Sequence, residues 1–201
     1  MDRAAIGLTL SKGITMTTIT ADTIAGYQAG TWKLDPMHSE VTFSVRHLAI
    51  SKVKGSFETF DVTVVTTDNP LDTTVTASID VASVDTRQKD RDAHLRTNDF
   101  FAIDEYPTID FTSTSVEFDG EAATIHGDLT LRGVTKPVTF TGEFGGVVVN
   151  GYGQTVAGAS FTTKIDRLDY GVKWNAAVEA GGLTLGNEVT ISIDGQVALQ
   201  A

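Results

Sequence analysis

The chain has 201 residues, enough for one sizeable hydrophobic core, and carries 26 acidic against 15 basic side chains for a net charge of −11. That sign repels phosphate backbones and anionic lipid surfaces, which argues against nucleic acid as a partner and against nonspecific adhesion to an anionic bilayer, and leaves membrane docking to a local basic cluster. The lack of cysteine excludes a disulfide framework and thiolate metal sites.

Residues 1 to about 29 show no sustained period and read as a flexible leader, within which Met16 is a second candidate start. The apolar run Ala4 to Leu10 is short, broken by Gly7, and lacks a small-residue cleavage site. The expectation is a cytoplasmic protein without a signal peptide. No run approaches the ~18 apolar residues of a membrane span, so no stable membrane insertion is expected. From Gly30 to Ala201 a single β-domain is expected. Nineteen glycines, four prolines and many Thr and Val suit a turn-rich sheet.

Period-two alternation begins at Glu40-Val-Thr-Phe-Ser-Val-Arg-His47. It places Val41, Phe43, Val45 and His47 on one face and Thr42, Ser44 and Arg46 on the other. Ala77, Ile79 and Val81 repeat the pattern, as do Ile125, Leu129 and Leu131, then Val138 and Phe140, then Val189, Ile191 and Ile193. Strands are expected at about 31–35, 38–48, 56–66, 73–84, 107–118, 122–132, 136–149, 154–167 and 187–199. Turn signals separate most of them, among them Asp35-Pro36, Asp68-Asn69-Pro70, Asp119-Gly120, Arg132-Gly133 and Asn150-Gly151.

Two inserts break the rhythm. Residues 86–101 are highly charged and place Asp92 and Arg96 at helical spacing, which predicts a short helix over one end of the sheet. Residues 168–186 carry glycines and read as a long mobile loop, the natural place for an entrance flap. Long antiparallel strands with one apolar face make either a sandwich or a closed barrel. Small inward residues (Gly127, Gly142, Gly158, Ala157, Ala159, Ala77) hint at a cavity, although glycine in a strand also marks a bend.

Residues 30–199 carry a series of motifs in order: Trp32-Lys-Leu-Asp-Pro-Met-His-Ser-Glu-Val-Thr-Phe-Ser-Val-Arg-His47, Gly55-Ser-Phe57, Arg91-Asp-Ala-His-Leu-Arg96 with Asp99-Phe-Phe101, Tyr106-Pro-Thr-Ile-Asp-Phe111, Gly127-Asp-Leu-Thr-Leu-Arg-Gly-Val-Thr-Lys-Pro-Val138, Arg167-Leu-Asp-Tyr-Gly171 and Leu185-Gly-Asn-Glu-Val189. Together they resemble the YceI-like family of polyisoprenoid-binding proteins. The resemblance implies an all-β, lipocalin-like, extended eight-stranded antiparallel barrel, often a homodimer, whose interior takes the tail of an isoprenoid or fatty lipid. Gly30-Thr-Trp32 is similar to the Gly-x-Trp of lipocalins. Many relatives are exported, and this chain departs from them in its N-terminus and in Tyr170, where phenylalanine is frequent.

Within such a barrel, strand parity nominates Val41, Phe43, Val45, His47, Ile79, Phe111, Leu129, Phe140, Gly158 and Ile191 as lining. His47, Arg91, Arg167 and Tyr170 are the head-group candidates at the mouth, the basic ones favouring a phosphorylated head. Arg91-Asp92 and Arg167-Leu-Asp169 serve equally well as mutual ion pairs. The four histidines include no pair at ligand spacing, so no metal is expected. No Gly-x-Ser-x-Gly elbow or phosphate loop occurs, so no cofactor and no catalysis are expected. The function expected is non-enzymatic binding, transport or storage of a long-chain isoprenoid or similar lipid. An enzyme acting on a small amphipathic substrate in the same cavity, or a solid-cored interaction module, is the alternative.

Overall fold

A computed structural model describes residues 20–177 and 184–201. Its strands are β1 (Gly30–Leu34), β2 (Glu40–His47), β3 (Ser51–Phe57), β4 (Phe60–Thr66), β5 (Thr74–Asp80), β6 (Val84–Asp85), β7 (Thr108–Asp119), β8 (Ala122–Leu131), β9 (Val134–Val149), β10 (Thr155–Asp166) and β11 (Leu185–Leu199). All pairings are antiparallel, in the order β1-β4-β5-β7-β8-β9-β10-β11, and β1 returns to β11 through Trp32↔Leu199. Eight staves therefore close a barrel, which settles the choice between sandwich and barrel. Three staves are broken. β11 pairs with β1 near its end and with β2 along Leu185–Asp194, so β2 continues the line of β1. In the same way β3 continues β4, and β6 continues β5.

Most strands fall within a few residues of their expected positions; β3 is the exception, since the expected strand began only at residue 56. The hairpin between β2 and β3 turns at Leu48 (φ 51°) and Ala49 (φ 60°). Left-handed backbone is usually supplied by Gly, Asn or Asp. His47-Leu-Ala-Ile50 contains none of these, so nothing in the sequence announces the turn.

Helix α1 (Lys89–Arg96) lies inside the predicted 86–101 segment. Gln88 caps it by accepting from the Arg91 N–H at 2.6 Å, and Asp90 and Asp92 in the first turn against His94 and Arg96 in the last complement its dipole. Arg96 fastens it to the sheet by donating to the Ala82 and Val84 carbonyls.

Order begins before Gly30. Residues 20–29 form a short 3-10 turn (Ala21–Thr23) and then a strap in which the Tyr27 hydroxyl donates to the Thr67 carbonyl at 2.8 Å. This part of the expected leader lies against the barrel, whereas residues 1–19 fall outside the described residues.

The interior is filled unevenly. At one end Val41, Phe57, Val81, Val84, Ile109, Leu131 and Tyr170 form a dense core, and Leu95, Phe101 and Ile103 from the insert after β6 pack into it. Phe57 meets Phe43 at 5.5 Å and Phe101 at 6.0 Å between ring centroids. At the other end the same alternating strands enclose space.

Candidate functional site

The hollow end holds a cavity of about 210 Å³. Its floor is an aromatic layer in which Phe111 meets Phe140 edge-on at 5.4 Å. The Phe111 ring lies directly over Gly127, where a Cβ would fall 2.4 Å from it. The space that Gly127 vacates is therefore already occupied by a ring. Gly142 is likewise closed off, its Cβ position blocked by the Ser160 carbonyl. Ala77, Ala157 and Ala159 do line the cavity, whereas Gly158, expected to face inward, borders it only through its backbone and turns outward with its ladder partner Gln196, because side chains alternate along β10.

Of the nominated lining residues, Ile79, Phe111, Phe140 and Gly158 border the cavity. Val41, Phe43, Leu129 and Ile191 belong to the packed core, and Val45 and His47 lie in neither. The cause is the break between β1 and β2. β2 carries its inward face past the hollow part of the barrel into the packed end, while β1, a strand of only five residues, supplies Trp32 and Leu34 to the cavity. Sequence reasoning passed over Trp32, Val62, Val64, Val75, Phe118 and Phe161, all at strand positions of the right parity. Ile24 and Tyr27 of the strap also border the cavity and had no periodic signal to reveal them.

The lining is almost wholly apolar, and several of its polar side chains are engaged. Trp32 Nε1 donates to Thr66 Oγ1 at 2.9 Å, and that hydroxyl donates onward to the Gln28 carbonyl. Ser39 donates to the Asp35 carbonyl, and Tyr27 to the Thr67 carbonyl. Asp110 and Asp194 alternate with inward residues and turn their carboxylates to the outer face, where they accept from Ser78 and Thr108 and from Ser160. Such a cavity offers a ligand few polar partners, so a polar group entering it loses its water with little replacement.

The four head-group candidates do not converge. His47 ends β2 opposite Ser51, far along from the cavity. Arg91 is spent on Thr86, donating to its hydroxyl at 2.6 Å and its carbonyl at 2.7 Å. Asp92 accepts from the Thr86 N–H at 2.9 Å. Arg167 is buried and donates to the carbonyls of Gly186, Val172 and Trp174 at 2.7 to 2.9 Å, so it ties the segment after β10 to the start of β11. Burial lowers its pKa, opposed by the charge of Asp166. Tyr170 is buried in the packed core, and burial, then the charge of Asp169, raises its pKa. Neither expected ion pair forms. Asp169 pairs with Lys136 at 3.2 Å instead.

The residue 168–186 insert opens with a 3-10 turn closed by Gly171 in the left-handed region (φ 74°). The central part of the expected flap, residues 178–183, lies outside the described residues. A second, polar groove of about 720 Å³ runs where β9 and β10 part company beyond Thr162↔Thr141. The Thr163 hydroxyl spans the start of this gap to the Thr139 carbonyl at 2.7 Å. Pro137, which cannot donate to a ladder, sits on the parted stretch of β9.

The histidines remain apart. His38 bonds Asp35, His94 bonds Asp99, and His126 meets Thr139 and Glu117. Among the described residues no group of three His, Asp or Glu side chains is placed to hold a metal.

The YceI-like domain model matches residues 32–197. Two UPF0312 proteins of Staphylococcus aureus (strains MSSA476 and MW2) are each 40% identical over 167 residues, covering 82% of this chain and 95% of theirs. A Campylobacter jejuni YCEI protein superposes with a TM-score of 0.65 at 25% identity, over 98% of this chain and 100% of that one. BcnA of Burkholderia cenocepacia (TM-score 0.69, 22% identity, 81% of this chain and 98% of that one) shares the fold. So does a polyisoprenoid binding domain from Saccharophagus degradans (TM-score 0.64, 14% identity, 86% of this chain and 100% of that one).

Proposed function

The chain belongs to the YceI-like family, and we propose that it binds the apolar chain of an isoprenoid or similar amphipathic lipid in the hollow end of its barrel, as a non-catalytic carrier or store. The observation that carries this reading is a cavity walled almost wholly by apolar side chains, Val, Ile, Phe and Trp. Supporting it, one solved structure of the same fold is named a polyisoprenoid binding domain.

The size of the cavity restricts how a ligand sits. At about 210 Å³ it is smaller than the ~300–1,000 Å³ usual for drug-sized ligands. It seats one end of an apolar chain, and the remainder of a long isoprenoid continues through the mouth beside Ile24 and Tyr27. Each buried CH₂ is worth about 0.8 kcal/mol relative to water, so affinity over water is easily supplied. A bilayer offers the same tail an equally dry environment, so selection rests on shape. With so few polar groups in the lining, it does not rest on a head group held inside.

Ala159 provides the test. It lines the cavity on the same face as Ala157 and Phe161, and the Cβ position of its ladder partner Gly195 meets nothing within 4 Å, so Ala159→Trp puts a ring into the open volume. The parent is expected to retain lipid recoverable by solvent extraction after native mass spectrometry, or to take up a fluorescent prenyl alcohol. Ala159→Trp should fold and take up none, while Val45→Trp, outside the cavity, should bind as the parent does. Equal uptake by parent and Ala159→Trp would remove the cavity reading.

A further inference from the structure

From Phe144 to Thr163 the chain runs for twenty residues without a single Asp, Glu, Lys or Arg, although those residues make up 20% of the whole. This stretch is the last six residues of β9, the β9–β10 turn and most of β10. The β8 ladder stops at Ala122↔Glu143, and one further bond runs from the Phe144 N–H to the Glu121 carbonyl. Beyond Phe144 no strand among the described residues pairs with β9 on that side, and the hairpin stands past the β8 edge of the barrel wall. Its tip is apolar and open: Val148 is 63% exposed, Val149 66% and Tyr152 93%. One residue back, Val147 lines the cavity and touches Gly26 of the strap. The tip and the mouth are thus continuous.

We propose that this hairpin tip docks on the neutral, zwitterionic surface of a lipid bilayer and holds the cavity mouth against it. The inference rests on the carrier reading for its purpose, since it supplies the route by which an apolar chain leaves the bilayer without crossing water. Three features select a bilayer as the occupant. The tip satisfies its own backbone: the Asn150 side chain accepts from the Tyr152 and Gln154 N–H groups at 3.0 Å each, and the Asn150 N–H donates to the Gln154 carbonyl at 2.8 Å. Backbone closed in this way enters an apolar interface without orphaned groups. A tyrosine beside two valines is the composition of an interfacial anchor, with an apolar body and a polar end. Three side chains on a projecting tip fall well short of the ~800 Å² per partner that a stable protein interface buries, which disfavours a second copy of the chain. The net charge of −11 turns the preference toward neutral lipid.

Flotation with phosphatidylcholine vesicles that contain no prenyl ligand tests the docking by itself. The parent should float with the vesicles, and Val149→Asp/Tyr152→Asp should lower the partition by at least about tenfold. Ile50→Asp, equally exposed at 84% on the β2–β3 turn of the opposite end, should leave it unchanged, and added phosphatidylserine should weaken it. Absence of flotation by the parent, or an equal loss in Ile50→Asp, overturns the proposal. So does a parent dimer in sedimentation that the tip variant dissolves without any vesicle binding, because the occupant is then a second copy. Uptake of a prenyl alcohol from an ethanolic dispersion, measured in parallel, separates the two readings. Uptake without flotation sinks docking alone, and flotation without uptake sinks the carrier and leaves docking standing.

Discussion

The two ends of the barrel are built by the same strands with the same alternation, yet one is solid and the other hollow. At the solid end Val81 and Val84 are each 1% exposed and Phe57 is wedged between Phe43 and Phe101. At the hollow end Phe161, Val64 and Phe118 face a void. What separates them is the material delivered from outside the strands. The insert after β6 places Leu95, Phe101 and Ile103 in one end, whereas the large side chains from outside the strands that reach the other, among the described residues, are Ile24 and Tyr27 of the strap. A period of two identifies which side chains point inward, but whether they find one another depends on segments that have no period.

The largest expected effect breaks this contrast most directly. Phe57→Ala removes a ring packed on all sides and should cost about 3–5 kcal/mol in urea unfolding. Phe161→Ala removes a ring that already lacks neighbours on the cavity side, so about 1–2 kcal/mol is expected, together with room for a bulkier ligand. Equal losses at the two positions would mean that the hollow end is as closely packed as the solid one.

The sequence made the barrel legible because Asp119-Gly120 and Asn150-Gly151 marked hairpins and Val41 through Val45 marked a wall. The same residues do not show which part of the interior is hollow. Val45 shares the parity of Val41, but parity is preserved along a strand while the filling of the interior is not. Gly127 and Gly158 look alike in sequence; one is roofed by Phe111 and the other turns to the outer face of β10. The turn at Leu48 and Ala49 had no residue of the usual turn chemistry to announce it. The head-group candidates lie apart for another reason: a charged residue near a loop advertises its charge, not the backbone carbonyls that Arg167 folds back to meet.

Arg167 gives the second effect. It lies at the solid end, with Tyr170 beside it in sequence, and its guanidinium serves three carbonyls. Arg167→Met leaves those acceptors without their donor and should cost about 2–3 kcal/mol in unfolding. Relative uptake of a prenyl phosphate and a prenyl alcohol should not change. A selective loss of the phosphorylated ligand, with stability intact, would restore the head-group role and place the mouth at the solid end.

The smallest effect tests the joint between the two ends. Asp35 sits at the break between β1 and β2, where its carboxylate accepts from the Met37 N–H at 3.0 Å and Gln196 Nε2 at 2.8 Å and bonds His38 Nδ1 at 2.8 Å. The bond with His38 is the main reason its pKa lies below the ordinary carboxylate value; the bonds from Met37 and Gln196 add to it, and desolvation opposes it. A folded-state pKa below the unfolded one contributes stability that is present above the ordinary ~3.9 and is lost as the pH falls through the folded value. Asp35→Asn keeps a cap for Met37 but removes the charge. A deficit of about 1 kcal/mol, or roughly 2–4 °C in Tm, is expected at pH 6 and should close as the pH falls through the folded-state value. A deficit that stays constant over that range would assign the joint to shape alone, and the two ends would then be held in line by the β11 ladder without help from the carboxylate.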